Sequence, residues 1–384
     1  MKKRAVLFLL IVLCLVTTGC WNYREINMLS IVAGVGVDRD AASGDYVLYI
    51  EIIESGSASK GQSSPEGKIV ETRGKTVFDA VRNTIQVSGK RLFWSHAQCI
   101  IVGEGLARQG LLDVLDWFYR DAEIRLTTHL LVAKDASVKD IMTSKGIVNE
   151  ILSYEINDKI DNSDNVEKYT RVQLYKVIKM LESEVPYAFA PCVTMKPQDE
   201  MKSADICGTA IFKGDILVGY LDSEDTKYFL YVIDKVKGGL LVNYNYQNDP
   251  IADITLEVFD NKTTVKPVFS DGILAVGIST ETEAAIGESG PNASYADIAG
   301  MTALTEDMQL FLQENIIRVV QKVQNEFDTD IFGFGQLVYA EKPDIWKQYK
   351  DDWDNGFKNL QFSVTCKIKI RNSAQAGKSL KDQQ

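Results

Sequence analysis

The first twenty residues dictate how this chain is delivered before it folds into anything. Lys2, Lys3 and Arg4 stand in front of an unbroken apolar run over residues 5–16, which ends in Thr17-Thr18-Gly19-Cys20. A basic start, an apolar middle and a small-residue end are the three regions of a bacterial export signal. At 1.5 Å per residue the run spans roughly 18 Å, short of the roughly 30 Å of a hydrocarbon core, so it reads as a signal and not as a permanent anchor. The residue after the small pair is a cysteine, whose thiol can take a diacylglyceryl group before cleavage makes Cys20 the new N-terminus. Thr17 stands where such a site usually has Leu. The expectation is that residues 1–19 are removed and that Cys20 carries covalent diacylglycerol and an N-acyl lipid. Each buried methylene contributes about 0.8 kcal/mol, so two or three chains hold firmly where one would not.

Composition agrees with a lipid anchor. The 384 residues are 45% hydrophobic and 25% charged, which excludes a disordered, collagenous or polytopic membrane protein. The formal charge is −11, and it becomes more negative once the basic start is lost. Such a chain is a poor nucleic-acid binder and is repelled by anionic headgroups, so attachment to a membrane must come from lipid rather than a basic patch.

Patterning predicts an α+β fold: mixed sheets with packed helices, in two main halves with a possible third domain between them. Residues 31–37 and 46–53 read as a strand pair, and 55–67 as a polar surface loop. Strands are predicted at 68–71, 97–102 and 126–133, and helices at 76–87, 111–118, 147–160 and 172–181. Residues 206–212 and 216–221 flank Gly214-Asp215 as a hairpin that opens the second half. Strands follow at 240–246, 254–259, 265–269 and 274–278. Residues 302–327 form a long amphipathic helix across the C-terminal sheet, with Leu304, Met308, Leu312 and Val319 on one face. The alternating run 360–370 closes the fold. The domains expected are 20–165, a connecting segment or small middle domain at 166–203, a C-terminal α+β domain at 204–372, and a polar tail at 373–384.

No motif marks an enzyme. The pairs Gly34-x-Gly36, Gly103-x-Gly105 and Gly333-x-Gly335 do not complete a nucleotide-binding loop. His96 and Cys99 fall on opposite faces of a strand-like run, so no metal site is expected there. Residues 351–356 fail as a calcium loop, because Trp353 and Phe362 stand where oxygen ligands belong. Trp346, Tyr349, Trp353 and Phe357 instead recur as the packed face of a helix. The charges from Arg120 to Arg125 read as a solvated connection. Ser223, Glu224 and Asp225 read as the capped start of a helix. Cys192 and Cys207 lie in segments able to pair as strands, and whether they form a bridge is left open. Cys99 and Cys366 read as buried apolar groups.

Four ordered blocks resemble one family. They are Gly19-Cys20-Trp21-Asn22-Tyr23-Arg24-Glu25-Ile26-Asn27; Ser95-His96 with residues 100–107, Gly110 and Arg120-Asp121; residues 208–215 with 217–221; and Phe332-Gly333-Phe334-Gly335 with Trp346, Trp353, Phe357 and the strand ending at Arg371-Asn372. Together they are similar to the C-subunit lipoproteins of nutrient germinant receptors of endospore-forming bacteria, the Ger(x)C family. Asn22 stands where the family more often has Asp.

The resemblance implies a non-catalytic lipoprotein on the outer face of the spore inner membrane, working with a multi-pass A subunit and a transporter-like B subunit, and it brings no ligand-contact motif. The rival expectation is a solute-binding lipoprotein that captures the germinant, which would need a cleft with convergent polar groups. Residues 21–27 reach at most about 25 Å from the anchor, so the N-terminal half lies near the membrane. Trp21, Tyr23, Glu25 and Ile26 are the candidate partner contacts.

Overall fold

The computed structural model describes residues 3–4, 29–54, 65–198, 201–244, 254–289 and 298–371. Cys20, Trp21, Tyr23, Glu25 and Ile26 lie outside the described residues, as do most of the 55–67 loop and the 373–384 tail. The architecture is mixed α+β, with two sheets and packed helices.

Strands β1 (Leu29–Arg39), β2 (Tyr46–Glu54) and β3 (Glu66–Gly74) form an antiparallel meander. Thr76 caps helix α1 (Val77–Ser88) by accepting from the Asp79 amide at 3.1 Å. The chain then lays β4 (Arg91–Phe93) and β5 (Cys99–Val102) parallel to β1. Helices α2 (Glu104–Ala107) and α3 (Leu112–Arg120) lead to β6 (His129–Ala133), parallel to β5. All residues of β5 and β6 are buried. That is why both read as uninterrupted apolar runs: parallel strands in mid-sheet are covered on both faces.

One cover includes α4 (Val138–Met142) and α5 (Leu152–Asp161). A Cβ on Gly34 would lie 2.2 Å from Ser153 Oγ, and one on Gly36 2.2 Å from Val138 Cγ1. The Gly34-x-Gly36 pair thus lets helices seat directly on β1. Helix α5 starts at Leu152 and not near residue 147, because both Glu51 carboxylate oxygens accept from the Leu152 and Ser153 amides at 2.8 Å. Helix α6 (Leu174–Leu181) leads into β7 (Tyr187–Gln198), β8 (Met201–Lys213) and β9 (Ile216–Leu221).

The β8–β9 hairpin, read from its turn signal as the opening of the second half, pairs with the first sheet and not with the second. It completes a nine-stranded sheet of order β3-β2-β1-β5-β6-β7-β8-β9, with β4 alongside β1. The reason lies in the turn itself. Asp215 accepts from the Leu111 amide through its backbone oxygen at 3.1 Å and from the Leu112 amide through Oδ2 at 3.2 Å, so the turn caps α3.

The second sheet runs β10 (Leu240–Asn243), β11 (Ile254–Ser270), β12 (Ile273–Ser289), β13 (Gln361–Arg371). Segments expected as separate strands at 254–259 and 265–269 are one 17-residue strand. A register shift between Val258 and Asp260, followed by buried Asn261 bonded to Thr263 and Thr282 at 3.1 and 2.8 Å, carries the ladder through the polar middle. The alternating burial of β11 shows a sheet with only one covered face.

Helix α7 (Ser223–Val232) precedes this sheet, and the long helix α8 (Ile298–Lys322) packs on β13 and α7. Its buried residues Leu304, Met308, Leu312, Ile316, Val319 and Val320 keep helical spacing. A π turn, Val323–Phe327, continues it, and Gln324 there donates to the Phe357 and Leu360 carbonyls at 2.8 and 3.0 Å. The true cap of α7 is Asp222. Asp225, read from sequence as part of that cap, is 2% exposed and pairs with Arg318 and, at 2.7 Å, with Lys322. Burial opposes its ionisation, but the two cations outweigh it and hold its pKa below the usual carboxylate value.

The Trp346 face is not one helix. It is divided among α10 (Pro343–Tyr349), a 3-10 turn Lys350–Asp352 and α11 (Trp353–Lys358), yet Trp346, Trp353 and Phe357 are all buried. Buried Asp330 organises this corner and explains the Phe332-Gly-Phe-Gly335 block. Its carboxylate accepts from the Gly333, Phe334 and Gly335 amides at 3.0, 3.1 and 2.6 Å, at the start of α9 (Phe334–Glu341), and from Trp353 Nε1 at 3.2 Å. Burial pushes its pKa up while these four donors pull it down. Asp330→Ala strands several buried donors, each costing about 1–3 kcal/mol. We expect a loss of at least about 3 kcal/mol in urea unfolding, with Trp353→Phe costing clearly less; equal stability of Asp330→Ala and the wild type would refute the role.

Candidate functional site

A groove of about 1070 Å³ opens between the segment that leads into β7 and the helices α7 and α9. One wall is the segment 163–173 with α6. The other is the end of α7, the turn after it, and α9. Clefts between structural units are common binding sites, and this one is large enough for an extended ligand or a partner's side chains.

The floor holds two polar groups that folding leaves unsatisfied. Thr170 is 1% exposed, and its hydroxyl has no hydrogen-bond partner among the described residues. Glu167 is equally buried; Oε1 accepts from the Gly238 amide at a long 3.4 Å, and Oε2 has no partner among the described residues. Its backbone is in the left-handed region, φ 53°, held by donation from its amide to the Ser163 carbonyl at 2.8 Å. Burial pushes its pKa up to about 8, against the weaker pull of the Gly238 hydrogen bond and the Lys227 charge. Near neutral pH this side chain is therefore mostly an uncharged acid with a proton to donate. Burial also lifts the Tyr187 phenol on the same floor to about 12.

The rim is cationic for so acidic a chain. Lys176 and Lys179 on α6 face the groove, as do Lys235 and Lys237 across it, and none forms an ion pair among the described residues. Glu182 and Glu184 add carboxylates at one end, and Phe189, Leu230 and Tyr339 give it apolar surface. Such a set can bind charged and apolar parts of one partner. It contains no nucleophile paired to a base.

The residues singled out in the sequence lie elsewhere. His96 is exposed beside Phe93, whereas Cys99 is fully buried, its thiol pushed up to about 12 by burial. Asp354 pairs with Lys213 at 2.7 Å. Arg120 pairs with Asp116, and Glu123 with Arg91, both at 2.8 Å. Among the described residues no group of three or more His, Cys, Asp or Glu is placed to hold a metal, and no helix is long and apolar enough to cross a membrane. Sequence reasoning missed Glu167 and Thr170. The one available signal was a glutamate and a threonine amid the polar stretch before α6, which reads equally well as a solvated joint.

Residues 22–195 match the family described as "Spore germination protein N-terminal domain", and residues 207–374 match "Spore germination B3/ GerAC like, C-terminal". The two-sheet α+β chain thus belongs to the Ger(x)C family of spore germination proteins. It is 26% identical over 383 residues to spore germination protein B3 of Bacillus subtilis (strain 168), covering 98% of this chain and 99% of that one. It is also 26% identical over 402 residues to spore germination protein KC of the same organism, covering 99% and 97%. The crystal structure of the GerBC protein has the same fold, with a TM-score of 0.59 at 21% identity over 88% of this chain and 97% of that one. The groove takes one wall from each matched half.

Glu167 makes stability pH-dependent in a defined direction. Its folded pKa of about 8 lies above the ordinary 4.5, so between these values the folded state holds the extra proton, and stability falls as pH rises through the window. Glu167→Gln removes this dependence. Chemical unfolding from pH 5 to 8.5 should show the wild type losing up to a few kcal/mol relative to Glu167→Gln, with no further divergence well above pH 8. Parallel pH profiles would contradict the assignment.

Proposed function

We propose that this chain is the lipid-anchored, non-catalytic subunit of a membrane germinant receptor. Held by Cys20 on the outer face of the spore inner membrane, it supports assembly or signalling with the A and B subunits when a nutrient triggers germination. The observation that carries this reading is the match of both halves to spore germination families, with relatives aligned over nearly their whole length. The first described strand begins at Leu29, which leaves Trp21, Tyr23, Glu25 and Ile26 within a short reach of the lipid.

Two variants test it. Cys20→Ala should move the protein to the soluble fraction of spore lysates and slow germination. A Trp21→Ala, Glu25→Ala double variant should remain lipidated but recover less of the A and B subunits in a pull-down. Unchanged membrane retention of the first counts against the anchor. Normal recovery with the second, alongside crosslinks confined to residues beyond 200, moves the partner surface to the C-terminal half.

A second reading, capture of a small-molecule germinant, is favoured by the groove, whose lining includes Glu167 and Thr170, each with a buried polar atom left without a partner among the described residues. A ligand at 100 times its Kd stabilises a protein by about 2.7 kcal/mol. Amino acids, sugars and nucleosides, tested one at a time on the detergent-solubilised full chain, should therefore include one that raises Tm in the wild type but not in Thr170→Val. No shift with any of them removes the capture reading for these classes.

A further inference from the structure

Four cysteines lie among the described residues, and two of them face each other. In the β7–β8 ladder Cys192 is directly opposite Cys207. Residues opposite one another in an antiparallel pair share a face, with Cα atoms about 4.5–5.5 Å apart, inside the roughly 4.4–6.8 Å that a disulfide spans. The Cys192 thiol donates to the Cys207 carbonyl oxygen. Cys99 and Cys366 are buried in separate cores.

The register that aligns the pair is fixed by a bulge. Pro191 pairs with Thr209 and Cys192 with Cys207, which leaves Gly208 as the extra residue at φ 50°. Its amide donates to the Lys168 carbonyl at 3.1 Å, and a Cβ there would lie 2.1 Å from the Leu221 carbonyl oxygen. The bulge is thus held from both sides, and the strands cannot slip to separate the sulfurs without breaking those contacts. It also ties the pair to the groove, whose floor segment bridges Tyr169 to Gly208.

We propose that Cys192 and Cys207 are a modification site: a cross-strand disulfide, formed by exchange with a small-molecule or protein disulfide, that locks β7 to β8 behind the groove. Cys207 is the entry thiol, being partly exposed while Cys192 is completely buried. The neighbouring Cys192 side chain, close enough to stabilise the Cys207 thiolate, lowers its pKa, opposed by burial and aided by the Lys134 and Lys196 charges. Its thiolate attacks one sulfur of the oxidant and expels the other as a thiolate, leaving a mixed disulfide. Cys192 then attacks Cys207 Sγ as its proton passes to the departing sulfur, releasing the oxidant's second half as a thiol. Two protein thiols lose two protons and two electrons, and the oxidant's disulfide is reduced to two thiols.

The geometry stands on its own, whereas formation of the bond in cells rests on the exported location proposed above. The detergent-solubilised full chain, equilibrated with mixtures of reduced and oxidised glutathione, alkylated and digested, should yield a 192–207 linked peptide while Cys99 and Cys366 stay unlinked. The link should vanish in Cys192→Ser and in Cys207→Ser, and oxidation should raise Tm by several degrees in the wild type but not in the double variant. Failure to form the link at the most oxidising ratio, or a link to another cysteine, overturns the proposal. Acid-trapped spore membranes then read the location: a link formed in vitro but absent there overturns the exported location and not the site.

Discussion

Within the first sheet, strands β7 to β9 join the rest through one short parallel pairing. β6 and β7 register at only two positions, Val132 with Cys192 and Ala133 with Val193, extended by the Lys134 amide donating to the Val193 carbonyl at 2.9 Å. So brief a joint needs support from outside the ladder. Asp215 supplies it by capping α3, and Phe212 and Leu217 add it by entering the core that α1 and α3 cover. Because β8 and β9 also send Ile211 and Leu221 into the C-terminal core, the hairpin is common to both hydrophobic cores. The chain has two family segments but no clean structural seam between them.

Carboxylates placed at helix starts do much of the positioning in this acidic chain. Glu51 starts α5 from a neighbouring strand, Asp330 starts α9 from the preceding loop, and Glu155 accepts from the Val148 and Asn149 amides at 2.9 and 3.2 Å to hold the loop before its own helix. Each places negative charge where unpaired amides and the helix dipole favour it. Asp225 is different in kind, a buried anion shared by two cations, which ties α7 to α8.

The fold was legible wherever burial leaves a period in the sequence. The apolar runs of β5 and β6, the spacing of Leu304 to Val320 and the alternation of β13 all announced their elements. Errors came where a side chain far away in sequence decides a boundary: Glu51 sets the start of α5, and Asp215 assigns a hairpin to the earlier sheet. The buried Asn261–Thr282 bond carries a strand through residues that look like a turn. The groove was illegible for the same reason. It is assembled from three stretches with no shared pattern, and a glutamate in a polar run carries no mark of the cover that α7 and the Gly238 turn lay over it.

That covered glutamate links folding to the solvent in another way. Between its ordinary pKa of 4.5 and about 8, Glu167 is ionised in the unfolded chain and mostly protonated in the folded one, so the chain takes up part of a proton from the buffer as it folds. The heat of folding measured near neutral pH then includes the ionisation enthalpy of whichever buffer gave up that proton. Calorimetry in phosphate and in Tris would give different apparent enthalpies for one and the same structural event, and their difference would count the protons.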